Sequence, residues 1–174
     1  AVPVLLARLN GEEDEGLQVA YASALGKLGA VEATGELLAL LDRCEDEITR
    51  LEVALALARL VGNERHFVRL LRQLRAEPGT GAAQAVTALA RRLNGEGSID
   101  SPANALLLQS ADAFAKNQME SGAAHLLAGI ERVSPLAEPG AEEIRHFCTA
   151  RLVGSQNPAT EYLLLLLFVL AAGS

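Results

Sequence analysis

Apolar residues along this chain recur at helical spacing. Leu17, Ala20, Tyr21, Ala24, Leu25 and Leu28 fall at i, i+3, i+4, i+7, i+8 and i+11, the stripe of an amphipathic helix. Gly29 follows as the left-handed residue that closes it. A second stretch, from Leu51 to Val61, is apolar nearly all round, with Glu52 and Arg59 as its charged interruptions. Such a helix must be covered on several sides, and the expected cover is its own preceding helix together with the equivalent helices before and after it.

Self-similarity points the same way. Leu6 and Leu9 match Leu38 and Leu41 at an offset of 32, these match Leu71 and Leu74 at an offset of 33, and Gly29 and Gly62 also stand 33 apart. A period of this length is the mark of stacked helix pairs. Three units of helix A, break and helix B are predicted, over residues 1–30, 31–62 and 63–93. "NGEGSIDSP", residues 94–102, reads as a linker. Beyond it the echo fades, and four further helices are predicted over about 102–117, 119–133, 139–153 and 158–172, with Pro102 and Pro158 near helix starts and "SPLAEPG" as a break. Residues 103–174 then form either a helical cap on the stack or a bundle beside it.

Composition narrows the class. Half of the 174 residues are hydrophobic, only 3% are aromatic and Trp is absent. Ala and Leu favour helices and carry little β-branching, so an all-α fold is expected, an α-solenoid of about three helix pairs followed by a helical segment. The net charge of −7 argues against non-specific binding of nucleic acid. Cys44 and Cys148 lack metal-ligand spacing and read as reduced thiols of a cytoplasmic protein. The apolar run "YLLLLLFVLAA" at 162–172 falls short of the about 20 residues that a transmembrane helix needs. The chain opens "AVPVLL" without Met, which suggests a piece of something longer.

The phrases "GLQVAYASALGKLGAVEATGELLALLDR" and "AAQAVTALARRL" resemble HEAT repeats of the type also found in phycobilisome lyases. The likeness covers residues 1–93. It implies an α-solenoid that binds protein partners, or alternatively an enzyme, a bilin lyase or chromophore-handling protein. Two features depart from the pattern: "AVEATGE" stands where a Pro-containing start is usual, and "AEPGTG" joins the helices of the third unit. HEAT segments followed by a Leu-rich tail are also similar to soluble C-terminal extensions of bacterial major-facilitator transporters, which implies a setting on the cytoplasmic face of a membrane.

The most directional candidate for chemistry is "NERHFVRLLRQLRAE". Phe67, Leu70, Leu71 and Leu74 form its buried stripe, and Arg65, Arg69, Arg72 and Arg75 gather on the opposite side, with Arg91 and Arg92 as additions. Guanidinium groups pair with carboxylates or phosphates through forked hydrogen bonds, although a solvated face has the same pattern. Further partner contacts are expected at polar positions of the B helices, Gln18, Glu52, Arg59 and Gln84. The acidic turns "EEDE" at 12–15 and "CEDE" at 44–47 fit an acidic ridge or, more simply, helix N-termini. "PGTGAAQAV" lacks the Lys-Ser/Thr ending of a phosphate loop and is expected to be a turn with Thr80 as a cap. Glu142 and His146, at i and i+4, fit a surface pair or, less simply, an acid-base couple. No catalytic signature, cofactor or metal set is expected. A structural alternative makes the Leu-rich final helix a pairing element between copies.

Overall fold

The computed structural model describes residues 1–155 and 159–171. Its described residues form ten α-helices: α1 Val2–Gly11, α2 Glu15–Lys27, α3 Thr34–Arg43, α4 Glu47–Val61, α5 Glu64–Ala76, α6 Pro78–Gly95, α7 Ser101–Ala115, α8 Met119–Ile130, α9 Ala141–Leu152 and α10 Thr160–Ala171, with a 3-10 turn at Val31–Ala33. The helix start expected at Pro158 lies outside the described residues.

Local chemistry sets the boundaries. Asp14, Asp46 and Asp100 stand at N-caps and accept from the backbone N–H of Leu17, Thr49 and Ala103 at 2.9, 2.9 and 2.8 Å, satisfying donors that a helix leaves unpaired. The two acidic turns are therefore equivalent caps of α2 and α4. Gly29 closes α2 at φ +64°. The start of α6 differs from expectation. Pro78 opens the helix, with Glu77 at the N-cap position but making no side-chain cap, so "PGTG" is its first turn and Thr80 lies inside. A fixed φ and a missing N–H suit proline to that position.

The first four helices stack as repeat pairs, with α2 packed on α4 and α1 and α3 packed on their partners. Gly26 lets the B helices approach closely: a Cβ there would lie 3.0 Å from the Ala56 Cα. The face of α2 that meets its neighbours carries Gln18, Ala22, Leu25 and Gly26, rotated from the stripe read in the sequence. Leu17 and Leu28 are exposed, because α2 packs chiefly on α4 and on α1.

Beyond α4 the simple stack is interrupted. α4 packs against α2, α3, α5 and α10, whereas α6 packs against α5, α7 and α10. The expected cover of α4 by the next B helix is thus corrected: α10 takes that place. Every residue from Glu161 to Leu170 is buried, which explains a helix apolar on all sides and leaves it no face for pairing with a second copy. α7 and α8 form a tight hairpin in which Ser110 donates its hydroxyl to the Gly122 carbonyl at 2.6 Å. α9 returns to α3. Its buried Arg145 donates to the carbonyls of Ile130, Val133 and Ser134, closing the C-terminal end of α8 with a cation where the helix dipole favours one.

Candidate partner-binding surface

α5 is the most amphipathic element in composition and in placement. Phe67, Leu70 and Leu74 are buried, Phe67 meeting Phe168 of α10 edge to face with ring centroids 5.6 Å apart. Arg65, Arg69 and Arg72, at i, i+4 and i+7, share the opposite, exposed side, and Arg75 is exposed at the flank. Arg65, Arg72 and Arg75 have no acidic partner among the described residues. Glu64, at the start of the helix, is held by Arg59 at 3.0 Å, and that pairing keeps its carboxyl below the usual range.

Between α5 and α6 runs a groove of about 330 Å³. Leu70, Leu89 and Leu167 line its apolar part, and Arg69, Gln73, Gln84 and Arg92 supply donors along it. Arg92 donates to the Ala171 carbonyl and, at 3.2 Å, to Glu96, so it ties α6 to the end of α10. His66 also lines the groove. Its Nδ1 lies 2.9 Å from an Arg69 N–H. Arginine only donates, so Nδ1 accepts and the ring proton resides on Nε2. That N–H is buried and has no partner among the described residues. Burial, then the charges of Arg69 and Arg92, hold the His66 pKa below its ordinary value.

The other anticipated positions separate. Gln84 faces the groove, and Glu52 is exposed on α4. Arg59 is half-buried and committed to Glu64. Gln18 is a correction: it is buried and donates its amide to the Glu12 carbonyl at 2.7 Å, clamping the turn before α2 instead of facing a partner. Arg91 is exposed. The exposed His146 meets the half-buried Glu142 at 3.1 Å, and the same carboxylate accepts from the Leu136 N–H. Cys148 is fully buried, which pushes its thiol up to about 12, and burial also raises Cys44; neither has the character of a reactive thiolate. Gln73 and Leu167 were not anticipated, because their place at the groove depends on where α10 comes to rest.

Comparison with known families adds one decisive observation: HEAT repeats match residues 2–90. The chain belongs to the HEAT-repeat family. No curated protein and no solved structure matches it significantly. The HEAT match begins at the first residue of α1 and ends inside α6, so it covers α1 to α5 and most of α6, and the arginine face of α5 lies within it. α7 to α10 lie outside the match, although α10 completes the packing of the repeats. Among the described residues no helix is long and apolar enough to cross a membrane.

Proposed function

We propose that this HEAT module is a non-catalytic scaffold that binds an acidic protein partner through α5, and that it serves as a cytoplasmic domain carried by a larger membrane transporter. The observation that supports the binding role is the row formed by Arg65, Arg69 and Arg72, exposed in a chain whose net charge is −7. HEAT repeats bind partners through many modest contacts along a rigid surface, and guanidinium groups add carboxylate recognition. The chromophore-lyase alternative has less to stand on, because among the described residues the groove is lined by no Phe, Tyr or Trp, the side chains that usually hold a flat conjugated ligand.

The test uses a fluorescein-labelled glutamate-rich peptide as a defined acidic probe. Saturable binding that weakens with salt is expected, with a loss of about tenfold or more in an Arg65→Glu/Arg72→Glu variant whose circular dichroism is unchanged. Equal binding by the variant would remove the reading. Immunoblotting of membrane and soluble fractions tests the setting. A much larger membrane-bound species supports the transporter context, and a free species of this chain's size counts against it.

A further inference from the structure

We infer that the groove between α5 and α6 is a docking site for an acidic amphipathic helix, whose apolar stripe enters the groove while its carboxylates meet the arginines. This inference rests on the proposed acidic partner and specifies its form. Leu70 of α5, Leu89 of α6 and Leu167 of α10 are nearly fully buried, and the exposed Ala88 stands beside them in the lining. Arg69 and Gln73 come from one wall and Gln84 from the other, while Arg92 beside Gln84 is already held by the Ala171 carbonyl and by Glu96. No Asp or Glu lines the groove among the described residues, although the chain carries 22 acidic residues. An apolar strip with donors on both walls is complementary to a helix that places leucines at i, i+3, i+4 and i+7 and glutamates on either side. The adjoining exposed face of Arg65 and Arg72 continues the positive field beyond the groove. Small side chains at Ala85 and Ala88 leave room for incoming leucines.

The experiment compares two labelled peptides of about 15 residues with the same Leu, Ala and Glu content, one with the leucines at helical spacing and one scrambled. An oligothymidylate of matched charge is the third probe. Binding of the striped peptide is expected to exceed that of both others by about tenfold or more. Ala88→Arg, on the exposed side of α6, should weaken it comparably despite adding a positive charge, with circular dichroism unchanged. Equal binding of the scrambled peptide, or undiminished binding by the Ala88→Arg variant, overturns the groove. If Arg65→Glu/Arg72→Glu still weakens both peptides in that case, the acidic-partner reading stands alone; if it does not, both fall. Equally tight oligothymidylate binding overturns the inference in favour of a general polyanion surface.

Discussion

Tyr162 on α10 donates its hydroxyl to Asp42 on α3 at 2.7 Å, and Arg151 on α9 holds the same carboxylate at 3.1 and 3.2 Å. Three helices from two ends of the chain therefore converge on one acid. Arg50 of α4 joins them, its guanidinium 5.1 Å from the Tyr162 ring centre and 3.4 Å from Glu161. The bonds from Arg151 and then Tyr162 hold the Asp42 carboxyl below its ordinary range. Such a group binds fewer protons folded than unfolded, so its stabilisation is in place above the ordinary carboxylate pKa and is lost as pH falls through the native value. Tyr162→Phe should cost about 1 kcal/mol at neutral pH, and Arg151→Ala about 0.2–1 kcal/mol because that pair is exposed. A double-mutant cycle of Asp42→Asn with Tyr162→Phe, read by urea unfolding, should show coupling that disappears in acid. Additive effects at neutral pH would exclude the link.

Leu164, Leu165 and Leu166 are completely buried, in a helix that touches α4, α5, α6 and α9. Leu166→Ala should destabilise the protein by about 2–5 kcal/mol. Unfolding followed by circular dichroism and by tyrosine fluorescence should stay coincident, as one cooperative transition. Two separated transitions would show that the repeats up to α6 stand without α10.

Glycines in α6 make a test of helix crossing. A Cβ on Gly79 would lie 2.5 Å from the Phe114 carbonyl oxygen, and one on Gly81 would run into the Gln73 carbonyl. Gly81→Ala should therefore cost about 1–3 kcal/mol through overpacking. Gly95, at the end of the same helix, has nothing within 4 Å of such an atom, so Gly95→Ala should stabilise by about 0.4–1 kcal/mol. Thermal melts of the two variants should move in opposite directions.

His66 supplies a second pH dependence of defined sign. Its native pKa lies below the ordinary 6.5, so the unfolded chain takes up the proton first, and stability present above pH 6.5 is lost as pH falls through the native value. The facing charges are Arg69 on its own helix and Arg92 on α6, while α10 presents the Phe168 ring at 5.7 Å. His66→Phe removes both the titration and an unpaired buried donor whose cost is about 1–3 kcal/mol. The variant should be at least as stable at neutral pH and should lose less stability below it; a steeper acid loss would contradict the assignment.

Much of the helix inventory was legible because it is written in local chemistry. Asp14 and Asp46 mark starts, Gly29 marks an end, and Arg65, Arg69 and Arg72 are placed on one side of α5 by spacing alone. What escaped the sequence was direction over distance. A helix such as 160–171, apolar on every side, has no preferred face, so periodicity shows that it is buried without showing among which neighbours. The groove inherits that ambiguity, since Leu167 and Ala171 join Leu70 and Leu89 only through tertiary packing. Gln18 escaped for the opposite reason: its polarity suggested an open surface, but a backbone carbonyl six residues earlier satisfies its amide.

The position of α10 also has a consequence for how the molecule is made. The HEAT repeats leave the ribosome before the helix that fills the space beside α4, α5 and α6. With 76 residues between Gly95 and Ala171, the interval is roughly 4–15 s at about 5–20 residues per second. During that time the inner surfaces of α4 and α5 await their covering, and a nascent-chain chaperone has a natural window in which to hold them.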